Sequence, residues 1–87
     1  MNKVSIRGSA GEVMWGYYIA ASVGSWSIST EGSERVLSAQ VTHADAFRLS
    51  QPVLTFRVSR QNGTPWVWAL TGLQIANGTL SAHVSQE

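Results

Sequence analysis

The sequence predicts an all-β domain, mainly antiparallel, in the form of a small β-barrel or β-sandwich with about seven or eight short strands. Short segments in which apolar and polar residues alternate follow each other closely along the chain. Two Asn-Gly pairs interrupt them, and no long stretch has the period of about 3.6 residues that marks an amphipathic helix. The chain has 87 residues, which suffices for a single compact β domain over residues 1–87.

The strongest local signals are the two Asn-Gly pairs, each flanked by β-branched or aromatic residues. Asn62-Gly63 lies in the segment 54–70, and Asn77-Gly78 lies in the segment 73–84. Asn-Gly favours the type I′ turn of a two-residue hairpin loop, because both central residues of that turn have positive φ. Only Thr71-Gly72 separates the two segments, so the C-terminal half is predicted to be a four-stranded meander.

A two-residue loop in the first hairpin fixes which of its residues face each other. Ser59 then faces Trp66, and Arg57 faces Trp68. The two tryptophans and Arg57 share one face of this hairpin, whereas Phe56 lies on the other. In this register Arg57 is close enough to Trp68 for a cation–π contact.

The second hairpin is predicted to be buried on one face only. Its register places Ile75 opposite Leu80 and Leu73 opposite Ala82, with Val84 continuing the same apolar row. Polar residues alternate with that row, as in a strand pair that turns one face towards the core.

Four less regular strands are predicted in the N-terminal half. They are Lys3–Arg7, Val13–Ala20 with a bulge at Gly16, a strand around Trp26–Thr30, and Arg35–Thr42. Turns at residues 8–11 and 31–34 separate them, because Gly and Ser are concentrated there.

One short helix is predicted near residues 43–49. Thr42 and Asp45 have the spacing of a loose capping box, with Asp in place of the usual Glu or Gln. Pro52 prevents the helix from extending much further along the chain. One or two turns of helix would therefore connect the two halves of the domain.

The composition speaks against several kinds of catalytic site. The chain has no Cys, which excludes disulfides, zinc-thiolate sites and thiol catalysis. His43 and His83 are far apart and lack the spacing of metal ligands. His43 and Asp45 alone do not make a hydrolytic triad, since no nucleophile-elbow pattern accompanies them. We therefore expect no enzyme: no catalytic residues, no metal ligands and no cofactor.

The charge speaks against a surface that binds nucleic acid mainly by electrostatic attraction. Six basic and five acidic residues give a formal net charge of +1, and the basic residues are scattered. The most apolar stretch, Val13–Ile28, is shorter than the roughly 18 residues of a membrane-spanning helix and is broken by Gly and Ser. We expect no membrane association and a cytoplasmic location.

Aromatic residues give the strongest indication of a binding surface. The chain has four Trp, and Trp66 and Trp68 project to the same side of one strand. Together with Arg57 they suit a protein-binding hot spot, or a platform on which single-stranded nucleic acid stacks. They also suit a position in the core, because a small barrel must cover its largest side chains. The candidate binding residues are Arg57, Trp66, Trp68, Trp15, Tyr17 and Tyr18.

The predicted function is that of a non-enzymatic protein-interaction module with a protein partner. Compactness, few charges and many aromatic residues support binding by a packed patch, and the expected setting is an accessory or inhibitor protein of a phage or mobile element. The alternative is a small oligonucleotide-binding barrel that uses Arg57, Trp66 and Trp68 to bind single-stranded nucleic acid. A homo-oligomer is also expected, because a small strand-built protein with low surface charge leaves edges that pair.

Overall fold

The computed structural model describes residues 3–61 and 63–86, which form seven β-strands and one short helix. In chain order these are β1 (Lys3–Gly8), β2 (Gly11–Trp15), β3 (Tyr18–Glu31), β4 (Glu34–Ala44), α1 (Ala46–Leu49), β5 (Leu54–Val58), β6 (Trp66–Ala76) and β7 (Thr79–Gln86). The predicted all-β class is confirmed, and of the two predicted architectures the chain adopts the barrel.

Six of the strands close into the barrel. Their order around it is β3-β2-β5-β6-β7-β4, and β4 pairs again with β3 to complete the circle. All neighbouring strands are antiparallel. The seventh strand, β1, pairs with β3 alongside β2, and no described strand pairs with the outer edge of β1.

This topology makes the two ends of the barrel different. Because β4 lies between β3 and β7 whereas β5 lies between β2 and β6, the connection from β4 to β5 must cross one end. That connection contains α1, and we call this end the capped end. At the opposite end, the open end, β3 joins β4 and β5 joins β6 directly as neighbouring strands.

The segment between β1 and β2 is a kink and not the predicted chain reversal. Both strands run antiparallel to β3 along the same edge. The indole of the buried Trp26 lies against the kink, and its Nε1–H donates to the backbone oxygen of Ala10 at 3.0 Å. A Cβ atom on Gly8 would lie 2.4 Å from the Trp26 ring, so the close approach requires glycine.

A hairpin turn at Gly16-Tyr17 replaces the single bulged strand predicted over Val13–Ala20. Trp15 pairs with Tyr18 across this turn, and Gly16 has a φ of +59°. Glycine at the first central position is typical of the type II′ turn, which demands positive φ there. The prediction was wrong because it treated Gly16 as a bulge and not as the start of a two-residue loop.

The predicted register of the first C-terminal hairpin is wrong by one residue. Phe56 pairs with Trp68, Val58 pairs with Trp66, and Arg57 pairs with Val67. The strands end before the predicted turn, so the connection between β5 and β6 spans residues 59–65. A slip of one residue moves every side chain to the opposite face. Phe56 and both tryptophans therefore share one face, and Arg57 lies on the other.

Of the two type I′ turns predicted at the Asn-Gly pairs, the second is confirmed. Asn77 and Gly78 have φ values of 54° and 76°, so the second turn has the positive φ at both central positions that type I′ requires. The predicted pairing of Ile75 with Leu80 is confirmed. In the first pair Asn62 lies outside the described residues.

Thr71-Gly72 does not separate two hairpins. The strand β6 continues through it with a bulge, since Thr71 pairs with His83 while Gln74 pairs with Ser81. Gly72 and Leu73 therefore stand opposite one residue, Ala82, and Gly72 has a φ of +63°. The C-terminal half is a three-stranded meander and not the predicted four-stranded one.

The predicted short helix near residues 43–49 is confirmed as α1. Its N-cap is Asp45, whose carboxylate accepts a hydrogen bond from the backbone N–H of Arg48 at 3.0 Å. Thr42, the predicted cap, lies in β4. Over residues 3–61 and 63–86, no helix combines the length and apolarity needed to cross a bilayer.

The core is centred on three aromatic rings from three strands. The centre of the Trp26 ring lies 5.3 Å from that of Phe56 and 6.1 Å from that of Trp68. Trp68 and Phe56 lie 5.8 Å apart, and Trp68 is only 3% exposed. Aliphatic residues from β2, β3, β4 and β7 complete the cluster, so the barrel interior is filled by side chains.

Candidate functional site

Four aromatic residues lie on the β2–β3 hairpin and on α1 at the capped end and form what we call the aromatic patch: Trp15, Tyr17, Tyr18 and Phe47. Trp15 contacts Tyr18 and Phe47, whereas Tyr17 projects into water from the tip of the turn. Tyr17 is 99% exposed, Phe47 is 68% exposed and Tyr18 is 55% exposed. Trp15 is half-buried because it packs against the core cluster with one part of its ring. The patch thus has a base anchored in the barrel and three rings in contact with water.

The patch draws on two segments that hydrogen bonds hold together. The β2–β3 turn carries Tyr17 at its tip, and α1 carries Phe47. The backbone N–H of Asp45 donates to the Ala20 oxygen at 2.8 Å, and Nη1 of Arg48 donates to the Ile19 oxygen at 3.1 Å. These bonds tie the start and the middle of α1 to the first residues of β3.

Ring contacts give the patch a defined geometry. Trp15 lies 5.7 Å from Tyr18 in a tilted arrangement and 6.0 Å from Phe47 with the rings nearly perpendicular. The Arg48 guanidinium lies over the Tyr18 ring at 4.8 Å, within the range of a cation–π contact. Edge-to-face and tilted pairs at these distances are favourable for aromatic quadrupoles. The Tyr18 and Phe47 rings are therefore held in place before any ligand arrives.

The charge at the patch is nearly balanced. Nε of Arg48 lies 3.8 Å from a carboxylate oxygen of Asp45, and both side chains are partly exposed. A contact of this length between exposed groups contributes little to stability. It does place one cation and one anion beside three exposed rings, as is common at the rim of a protein interface.

Of the predicted site residues, the structure brings the rings of Trp15 and Tyr18 together, with Tyr17 beside them in the turn, but it places the other three elsewhere. Trp68 is buried in the core, and Trp66 is half-buried beside it. Arg57 lies on the outer face and donates to a carboxylate oxygen of Glu12 at 2.6 Å. The cation over Trp66 is Arg60, at 5.0 Å from its ring. The predicted Arg57–Trp68 contact fails because the register behind it is wrong by one residue.

Phe47 and Arg48 were missed in the sequence analysis. Both lie in the short segment predicted as a helix, and neither has an unusual neighbour in the sequence. A helix of four residues has too little surface to bury a large ring by itself, which is a signal that Phe47 must be exposed or docked elsewhere. The docking against Trp15 depends on the crossing of the barrel end, and local sequence does not specify that crossing.

Comparison with known protein families, curated proteins and solved structures finds no match for this chain. Among the residues that the structure describes, no group of three or more His, Cys, Asp or Glu side chains could hold a metal ion. The function therefore has to be inferred from the surface of the domain.

Proposed function

We propose that this protein is a non-enzymatic interaction module that binds a protein partner through the aromatic patch. The observation that carries the proposal is the exposure of Tyr17, Tyr18 and Phe47 on a frame fixed by Trp15 and α1. Tyr18 and Phe47 adjoin through Trp15, and Asp45 and Arg48 lie beside them. Exposed apolar surface rimmed by polar residues is typical of interaction sites.

The fixed geometry favours tight association with a protein surface. A few hot-spot residues supply most of the binding energy at protein interfaces, and Tyr and Trp are enriched among them. Binding is costly when side chains must be ordered, and rings that already pack on each other lose less freedom. Tyr17 at the tip of the turn would enter the partner's surface, while Tyr18 and Phe47 would cover its surroundings.

The same surface suits nucleic acid less well. Bases stack readily on exposed rings, but a strand also needs a track of cations for its phosphates. Arg48 is the cation in contact with the patch rings, and it has Asp45 beside it. The oligonucleotide-binding alternative also relied on Arg57 beside Trp66 and Trp68, but Arg57 lies on the opposite face of the sheet from both tryptophans. Protein is therefore the better-supported partner.

As the setting of the module we propose an accessory or inhibitor protein of a phage or mobile element. A compact, weakly charged domain with an exposed aromatic patch suits that role. Such a protein would act by occupying a surface of its partner.

The test is affinity capture from the native host with quantitative measurement of the partner found. Tyr17→Ala and Phe47→Ala are each expected to weaken partner binding by about 30-fold, which corresponds to the loss of a hot-spot residue. The matched control is Ile75→Ala, which truncates an exposed apolar residue on the β6 segment away from the patch rings.

Equal binding by the wild type and both patch variants would contradict the proposal. A second arm measures binding of a mixed single-stranded oligonucleotide at low and moderate salt. Tight, strongly salt-dependent binding that the Tyr17→Ala variant loses would assign the patch to nucleic acid instead.

A further inference from the structure

A groove at the open end forms a second surface, separate from the aromatic patch. It has a volume of about 390 Å³ and is lined by Ile6, Ile28, Trp66 and Trp68, with Arg35 and Gln86 among the polar residues at its rim. Ile28 and Trp68 belong to the buried core, whereas Ile6 is 39% exposed. The core is thus reached from outside at this end of the barrel.

The strand β1 borders this groove with a free edge. It pairs with β3 from Lys3 opposite Glu31 to Gly8 opposite Trp26, and no described strand pairs with its other side. The strand that follows β2 around the barrel, β5, ends at Val58 and does not reach β1. A free edge presents a row of backbone N–H and C=O groups that can pair with another strand.

We propose that β1 and the groove bind an extended segment of a protein partner, added as a strand to β1, in which apolar residues alternate with acidic ones. This surface and its ligand go beyond the function proposed for the capped end. Strand addition draws affinity from backbone hydrogen bonds and specificity from alternate side chains, which fall into separate environments on the two faces.

Alternation along β1 dictates the apolar half of this pattern. Ile6 pairs with the buried Ile28 and lines the groove, so it marks the inner face of β1. Its neighbour Arg7 is exposed and lines a depression with Ser27 on the outer face. An added strand would place every second side chain over Ile6 and Trp66, where apolar groups remove the exposed surface from water.

Charge dictates the acidic half. Arg7 stands beside the free edge, Arg35 lines the groove, and the Arg60 guanidinium covers the Trp66 ring. None of the described side chains that line the groove is a carboxylate. Arg35 and Arg7 form no ion pair with any side chain that the structure describes. Of these three cations, Arg7 is the one on the outer face of β1, beside the outward residues of an added strand. Opposite charges across neighbouring strands stabilise the pairing, so those outward residues should be acidic.

The same charges disfavour a second copy of this chain as the occupant. An antiparallel pairing of two β1 strands centred on Ser5 would bring Lys3 of each opposite Arg7 of the other. Like charges directly opposite each other destabilise a strand pair. A partner segment with acidic residues at those positions has the opposite sign.

The experiment uses two capped synthetic peptides of about nine residues, one alternating Val with Glu and one alternating Val with Lys. Binding to the full chain is followed by NMR titration up to millimolar peptide, together with hydrogen exchange of the β1 amides. The Val/Glu peptide is expected to protect the β1 amides, and the Val/Lys peptide is expected to bind more weakly or not at all.

A charge-reversal variant makes the result specific. Arg7→Glu should weaken the Val/Glu peptide by about two- to fivefold and strengthen the Val/Lys peptide, because Arg7 lies on the outer face of β1. A variant that merely misfolds loses both peptides, so the reversal separates recognition from damage. Ile75→Ala is the control variant, and it is expected to leave the binding of both peptides unchanged.

Three results would overturn the proposal. They are no binding of the Val/Glu peptide at millimolar concentration, binding that leaves the β1 amides unprotected, and protection that rises with protein concentration in the absence of peptide. The last result would identify a second copy as the occupant of the edge. None of these measurements involves the partner of the aromatic patch, so they do not test that proposal.

Discussion

The two ends of the barrel expose their aromatic residues in opposite ways. At the capped end the rings lie outside the barrel, on the β2–β3 hairpin and on α1, and the strands of that hairpin pair with each other as far as Trp15 and Tyr18. At the open end the rings of Trp66 and Trp68 lie inside or at the mouth, and it is the β1 backbone that lacks a partner strand among the described residues. The capped end therefore presents aromatic side chains to a binding partner, and the open end presents the backbone edge of β1.

Chain topology accounts for this difference. Only the connection from β4 to β5 has to cross an end of the barrel. That connection contains α1, which lies over the capped end and carries Phe47. At the open end the strands are joined to their immediate neighbours, so no helix is placed there. One fold thus builds two kinds of surface at its two ends.

The largest expected effect lies at the open end. Trp68→Ala should lower the free energy of unfolding by about 3–5 kcal/mol, because it empties the centre of the Trp26–Phe56–Trp68 cluster. Urea denaturation followed by circular dichroism measures this change. A loss under about 1 kcal/mol would mean that Trp68 lies on the surface, and the distinction between the two ends would fail.

The next largest effect is expected where Trp26 packs against Gly8, the last residue of β1. Gly8→Ala is expected to cost about 1–3 kcal/mol, because the new Cβ would lie 2.4 Å from a buried indole ring that is itself hydrogen-bonded. The matched control is Gly24→Ala, whose Cβ would meet its nearest neighbour, a Thr42 methyl group, at an ordinary 3.6 Å. Thermal melts of both variants should separate them clearly. Equal melting temperatures for the two variants would show that the packing of Trp26 against Gly8 does not hold β1 on the barrel.

A smaller effect is expected at the capped end from Gly16→Val. The substituted side chain meets no atom within 4 Å, so the cost comes from the φ of +59° that a β-branched residue resists. A loss of about 1 kcal/mol in unfolding free energy is expected. Because Gly16 positions Tyr17, the same variant should also weaken partner binding. Unchanged stability would show that the turn can adopt another geometry.

The smallest effect on stability concerns the patch rings themselves. Tyr17→Ala and Phe47→Ala should each change the free energy of unfolding by less than about 0.5 kcal/mol, because both rings are mostly in water. Their effect should appear in partner binding alone. A large loss of stability in either variant would make the patch a structural element and leave it without an argument for function.

The sequence predicted those parts of the fold that local chemistry controls. Asn77-Gly78 demands positive φ at two adjacent residues, and the turn forms there with the expected pairing of Ile75 and Leu80. The all-β class and the short helix near α1 also follow from local pattern. Each of these features depends on residues that are close in the sequence.

The parts that could not be predicted depend on distant contacts. The β5–β6 register places Phe56 opposite Trp68 so that both rings reach Trp26, a residue about thirty positions before Phe56 in the sequence. Burial of these rings prevails over the short loop that the Asn-Gly pair favours locally. The patch was predicted in part, because Trp15, Tyr17 and Tyr18 are adjacent in sequence, while the addition of Phe47 required the docking of α1.

The six barrel strands pair in a closed ring that does not include β1. Loss of a barrel strand breaks at least two ladders, whereas loss of β1 breaks only the ladder to β3. Fluctuations that release β1 therefore cost less free energy than global unfolding and leave the six-stranded ring closed. The N-terminal strand can fray and return while the rest of the domain stays folded, which makes it the natural place for this protein to exchange one neighbour for another.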